Sequence, residues 1–389
     1  MNLYLNMEKT KTLNDNPNEI LYVSFNQDGT NIAIGTENGF KIINTLPFLD
    51  IYYKDLDGGI GIIEMINKSN ILALVGGGKN PKYPINELIL WDDNKNKEIA
   101  KIKTKKKILN VKLNENRIFI ANIEKVLVFD FNTLNLIETF NTKNPRGLLT
   151  LCSKEDIIAY PDIQHEGTVR IKDYNSNKEY VLKAHKTPLN CIQLNQDGKL
   201  IGTCSLKGTL IRVYNIASKQ LIREVRRGAE SANVNCISFD ISQKYLAVAS
   251  DRKTIHIFFL INNIGENNNE NQINNNISNN SNENIDGFEL VNNSGTNANN
   301  EEIKKKNSID INNKKSIFEG MSNFFNVGKR YFGSEWSFTK FKLNGVKSLV
   351  IFGPDNSIIV VTYDGKYYQA SFDPFNDVED CYKIQEEKF

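Results

Sequence analysis

A unit of about forty residues recurs along this chain, and that recurrence limits the folds open to it more than any other feature. "ILYVSFNQDGTNIAIGTENGFKIIN" (20–44) and "LNCIQLNQDGKLIGTCSLKGTLIRVYN" (189–215) follow one template. It reads strand, Asp-Gly turn, strand, a second turn ending in Gly, then a strand closing on an aromatic or Asn. The same template lies over 60–93, 108–131, 147–174, 234–260 and 347–375. Short strands rich in Val, Ile, Phe and Tyr, with turn dipeptides between them, argue for an all-β chain. A period near forty fits a four-stranded propeller blade. Seven units predict a seven-bladed β-propeller of the WD-repeat type, and "ILWDD" (89–93) is its one good Trp-Asp signature.

One stretch interrupts the rhythm. Residues 262–300 are about half asparagine, and an insertion spanning 262–312 is expected within blade 6. Such a tract offers too little apolar surface to offset its ordering entropy, so disorder is expected there. Tracts of this kind are common where a genome is rich in A and T, as in malaria parasites. The expected organisation is therefore blades 1 to 5 and the first part of blade 6 over 1–261, the insertion, a distinct segment at 313–333, and the rest of blade 6 with blade 7 over 334–389.

Composition narrows the function classes. The formal net charge is +2, far from the basic excess of a nucleic-acid binder, so any anion recognition must be local. Cys152, Cys191, Cys204, Cys236 and Cys381 form no C-x-x-C pair, which suits a reducing cytosol and suggests neither zinc nor a disulfide framework. The N-terminal residues lack an apolar h-region and no run of 18 apolar residues occurs, so a soluble or peripheral protein is expected. "GGGKNPK" (76–82) lacks the spacing of a phosphate-binding loop, and Asp92-Asp93 ends a strand in the WD manner. No nucleophile motif and no metal-ligand spacing is present in the sequence, so no enzyme, metal or cofactor is expected. The basic run "KIKTKKK" (101–107) reads as a solvated rim.

"REVRRGAE" (223–230) poses the sharpest question. Successive strand residues point to opposite faces, so Arg226 and Arg227 should serve two separate sites. Upstream stand Ser205 and Thr209 around a turn, followed by Arg212. Downstream stand Ser250 and Thr254 around a turn, followed by His256. Hydroxyls and turn N–H groups donate to phosphate oxygens, and arginine adds forked, charge-assisted bonds. The bland alternative is the structural network of ordinary WD repeats, for which His185, Asp197 and Ser205 hold the equivalent places, with Tyr214 where Trp would stand.

Three stretches carry a family resemblance: "RRG" (226–228), "LALVGGGKNPKYPINELILWDD" (72–93) and "AHKTPLNCIQLNQDGKLIGTCSLKGTLIRVYN" (184–215). On these the chain resembles the PROPPINs, seven-bladed propellers that bind phosphoinositides and serve autophagy and endolysosomal membranes. Val225 replaces the aromatic that the family places before the arginine pair. The resemblance implies a first phosphoinositide site of His185, Thr203, Ser205, Gly208, Thr209, Arg212 and Arg226. It implies a second of Arg227, Gly228, Ser250, Thr254 and His256. In the second cluster Lys253 replaces the family's turn glycine, which would strain a turn requiring φ > 0 or else add a cation; the Arg226 site is therefore the better match.

Beyond the tract, Ile317, Met321, Phe324, Phe325 and Phe332 follow helical spacing, with Phe318 and Tyr331 beside them and Lys314, Lys315, Lys329 and Arg330 flanking. An aromatic face bordered by bases suits an anionic membrane interface, and the family uses a loop of this blade for membrane insertion. The implied function is a peripheral effector of phosphatidylinositol 3-phosphate, the 3,5-bisphosphate, or both. It would recruit autophagy or membrane-traffic proteins from the cytoplasm to preautophagosomal, endosomal or vacuolar membranes and, in an apicomplexan, to a plastid-like organelle. The alternative is a WD-repeat protein scaffold with degenerate lipid pockets. The two part on vesicle binding.

Overall fold

The computed structural model describes residues 19–152, 154–260, 335–376 and 379–389. These form seven sheets, each a four-stranded antiparallel meander, in chain order: 20–55, 60–103, 110–141, 150–183, 189–226, 234–259 with 339–342, and 348–388, the fifth extended by the parallel strand Glu335–Trp336. We number them blades 1 to 7. This is the predicted seven-bladed propeller. Each blade is a meander whose first strand lies innermost. The sixth is completed by Thr339–Lys342, so the undescribed residues 261–334 fall between its third and fourth strands. The membrane-segment residues Ile317, Phe318, Met321, Phe324, Phe325, Tyr331 and Phe332 lie outside the described residues.

The forty-residue template captured three strands of each blade and missed the fourth, for a physical reason. Inner strands such as Asn31–Thr36 are buried along their length, whereas the outer strand Leu49–Asp55 is half exposed and mixed in character. Only strands buried on both faces produce near-continuous apolar runs. The tight turn between the first two strands is equally local in origin. In blade 5, Gly198 takes φ +67 after Asp197 and donates its N–H to Asn195 O, a backbone state most side chains avoid.

Seven apolar clusters hold the described ring together, one between each neighbouring pair of blades. Each fully buried Ile, Val or Leu in them contributes roughly 1.5–3 kcal/mol relative to exposure. Trp91 of the Trp-Asp signature is 5% exposed and meets Phe40 of blade 1 edge-on. Asp92 accepts from Asn70 Nδ2 at 2.6 Å and from Lys95 N at 3.1 Å, a structural use of the carboxylate. Ring closure rests on packing: Val23, Ile32, Ile34 and Ile43 of blade 1 meet Ile359, Val361 and Tyr367 of blade 7. Tyr367 also donates its hydroxyl to Thr45 O at 2.8 Å. Blade 7 ends on its own outer strand, Tyr382–Lys388, so neither described end of the chain completes a blade from the other.

Candidate anion sites on the outer strand of blade 5

Strand alternation decides where the arginines point. The outer strand Leu221–Arg226 pairs with Leu210–Asn215, placing Arg226 opposite Leu210, Val225 opposite Ile211 and Arg212 opposite Glu224. Val225 and Ile211 belong to the cluster between blades 5 and 6, whereas Tyr214 belongs to the cluster between blades 4 and 5. Residues 224 and 226 therefore face blade 4, and Arg227 faces blade 6. Both arginines are buried at 5% exposure.

On the blade 4 side the structure brings together His185, Thr203, Arg212 and Glu224. Thr203, fully buried, lies 3.1 Å from His185 Nε2 and donates to Arg212 O at 3.2 Å. Arg212 donates through Nε to Glu224 Oε2 and through Nη1 to Ala184 O, both at 2.7 Å. Tyr214 donates its hydroxyl to the same carbonyl at 3.0 Å. Burial, reinforced by the Arg212 charge, pushes the His185 imidazole down to about 4, so it is neutral at pH 7. Ser205, Gly208 and Thr209 form the adjoining turn, where Gly208 has φ +67 and packs its Cα against Ala232 O. Asp197 stands at the other end of the blade, accepting from Lys199 N at 3.0 Å and Gln243 Nε2 at 2.7 Å. The ordinary WD network through that aspartate is therefore not the one formed here.

On the blade 6 side, the Arg227 guanidinium is held by carbonyls. Nε donates to Gly208 O at 3.1 Å and Nη2 to Glu230 O at 2.5 Å, while the Arg227 N–H donates to Thr209 O at 3.0 Å. Burial, then the neighbouring Arg252 charge, lowers its pKa. Gly228 is open on its side-chain face: an added Cβ would meet nothing within 4 Å. Ser250, 1% exposed, accepts from Arg252 N at 3.2 Å. His256 is fixed through both ring nitrogens, Nε2 to Thr254 Oγ1 at 3.1 Å and Nδ1 to Ser337 Oγ at 3.0 Å. Burial, then Lys340 and Arg227, push it down to about 3. Lys253, which replaces the turn glycine, is not among the positive-φ residues. The turn carries no left-handed strain, and the substitution adds an exposed cation.

Four participants escaped the sequence reading. Glu224 was legible, since it lies two residues before Arg226 and so shares its face. Ser337 and the pair Glu335–Trp336 were not: they follow the undescribed segment, and nothing local to them signals that they return beside this strand. Elsewhere, Lys103 pairs with Glu87 and Lys106 with Glu124 at 3.3 and 3.5 Å, consistent with a solvated rim for the basic run. A concavity of about 310 Å³ lies between blades 1 and 2, lined by Glu19, Glu37, Asp57 and Lys79 among others, apart from the arginines.

Comparison with known proteins adds a family. A family model described as PROPPIN matches residues 20–276. The chain is 35% identical over 241 residues to SVP1-like protein 2 of Neurospora crassa, covering 61% of this chain and 56% of that protein. It is 35% identical over 242 residues to autophagy-related protein 18 of Dictyostelium discoideum, covering 61% and 64% respectively. The matches thus span less than two thirds of these two relatives. Kluyveromyces lactis Hsv2 superposes with a TM-score of 0.69 at 22% identity, covering 95% of this chain and 99% of that one. The structure of KlAtg21 in complex with the coiled-coil of AgAtg16 gives 0.66 at 19% identity, with the same coverage. At such identities the structural likeness speaks for the fold.

Proposed function

This chain belongs to the PROPPIN family, and from that premise we propose that it is a phosphoinositide-binding peripheral membrane effector. The observation that carries the reading is the adjacent pair of arginines, each 5% exposed, turned to opposite faces of one outer strand. Burying a guanidinium costs several kcal/mol unless charge or hydrogen bonds compensate. Ser/Thr turns precede and follow the pair along the chain, and their hydroxyls, like the guanidinium groups, donate to phosphate oxygens. Monophosphorylated and bisphosphorylated 3-phosphoinositides both fit this chemistry. The reading assigns no catalytic step: the site binds and positions.

Binding on two sites of one rigid disc raises effective concentration at a lipid surface, so weak individual pockets give firm attachment. The attached protein would recruit partners of autophagy, in line with the name of the Dictyostelium relative, or of endosomal and vacuolar traffic. Vesicle flotation tests the reading. The native chain is expected to float with vesicles carrying phosphatidylinositol 3-phosphate and to stay behind with phosphatidylinositol alone, while Arg226→Ala/Arg227→Ala stays behind with both. Flotation of the double variant on phosphatidylinositol 3-phosphate would overturn the arginine sites, and a native chain that stays behind would leave the protein-scaffold reading in its place. The Arg212–Glu224 ion pair favours that second reading, since a carboxylate already occupies one of the cations.

A further inference from the structure

After the undescribed segment the chain re-enters the described fold as a fifth strand on blade 5, before it reaches blade 6. Glu335–Trp336 runs parallel to Leu221–Arg226, with Glu335 opposite Val225 and Trp336 opposite Arg226. The anchoring is specific. Arg223 Nη1 donates to Glu335 Oε1 at 3.1 Å, and the next residue, Ser337, holds His256 of blade 6 at 3.0 Å. Phe338 is fully buried and donates its N–H to Ile257 O at 3.1 Å. Four consecutive residues thus span the outer edge from the Arg226 side to the histidine of the second cluster.

Register partners in a sheet carry their side chains on the same face, so Trp336 stands beside Arg226 on the face turned to blade 4. Trp336 is partly exposed, while the chain's other tryptophan, Trp91, is buried at 5%. An indole combines a large apolar body with a single N–H donor, a combination enriched where one end of a side chain is dry and the other wet. At the rim of a cationic pocket, that chemistry fits a lipid whose phosphate enters the pocket and whose glycerol and acyl chains remain in the bilayer.

We propose that Trp336 is the outer wall of the Arg226 pocket and sits in the membrane interface when the pocket is filled, favouring a membrane-borne headgroup over a soluble one. The inference rests on the phosphoinositide reading above and adds a residue to it. Intrinsic fluorescence tests it directly, because Trp91 supplies a buried background that Trp336→Phe isolates. On vesicles with phosphatidylinositol 3-phosphate, native emission should shift to the blue and be quenched by brominated acyl chains. Soluble inositol 1,3-bisphosphate should bind without that quenching or shift. Trp336→Ala should weaken vesicle binding about ten-fold, or ~1.4 kcal/mol, with soluble-headgroup affinity within about two-fold of native; Trp336→Phe should recover most of the loss.

Vesicle-bound native protein with unchanged, unquenched emission would overturn the proposal. So would Trp336→Ala binding vesicles like the native chain, or a full blue shift with the soluble headgroup. In each of these cases the native chain still binds the lipid and the phosphoinositide reading stands. A native chain that ignores these vesicles altogether removes both.

Discussion

Arg226 and Arg227 are adjacent and equally buried, yet the two faces of their strand solve the problem of a buried cation differently. Toward blade 4, the neighbouring Arg212 is neutralised by Glu224, and His185 and Thr203 satisfy each other. Toward blade 6, Arg227 is met by the carbonyls of Gly208 and Glu230, with Arg252 adding like charge. A carbonyl offers a dipole where a carboxylate offers a full charge, and on the second face the carboxylate of Glu230 lies 3.7 Å from Arg252 while its carbonyl meets Arg227. The turns differ in the opposite sense: Gly208 is irreplaceable on backbone grounds, whereas Lys253 occupies its counterpart without a positive φ. Turn geometry therefore does not rank the two faces; they differ in how their cations are met.

The largest expected effect tests that contrast in the turns. Gly208→Ala places a Cβ 1.7 Å from Ala232 O at φ +67, and should destabilise the fold by about 3 kcal/mol or more in urea denaturation. A loss under ~1 kcal/mol would mean that the turn relaxes freely.

Next comes acidity. Both histidines have folded-state values, about 4 for His185 and about 3 for His256, below the ordinary 6.5. Above pH 6.5 they are neutral folded and unfolded, and their burial is fully tolerated. As pH falls below 6.5 the unfolded chain takes up protons that the folded chain refuses until about 4 and about 3, so stability drains away across that window. Thermal melts from pH 7.5 to 4 should show it, with a flatter slope in His185→Asn/His256→Gln. An equal slope in that variant would place the acid sensitivity elsewhere.

Removing the competing carboxylate probes the charge difference. Glu224→Gln should tighten soluble-headgroup binding about two- to three-fold, measured calorimetrically in an Arg227→Ala background so that only the blade 4 face reports. Weaker binding would show Glu224 to be a positioning partner of Arg212 rather than a competitor. Smallest of all, Lys253→Gly should move stability by less than about 1 kcal/mol. It should weaken vesicle attachment only slightly, since one exposed lysine near an anionic surface contributes ~1 kcal/mol at most.

Much of this molecule was written in local pattern. Runs of Val, Ile and Phe buried on both faces repeat with each blade, and turn residues such as Asp197-Gly198 mark the corners, so the seven-bladed ring follows from the sequence. The opposed directions of Arg226 and Arg227 follow from the two-residue period of a strand. Strand and turn spacing in the sequence put Thr254 and His256 in one cluster, whereas Thr203 joined His185 only through the family resemblance.

What only the tertiary structure decided are the contacts that cross long stretches of chain. Arg223 meets Glu335 from 112 positions away, and His256 meets Ser337 across 81. No periodicity encodes such a pairing; it exists because the ring brings the outer edges of blades 5 and 6 side by side, and the returning strand takes the free edge it finds there. The same holds for the character of each face of the strand. Which cation keeps a carboxylate and which is left to carbonyls is set by what the neighbouring strand and turn happen to place within hydrogen-bond reach.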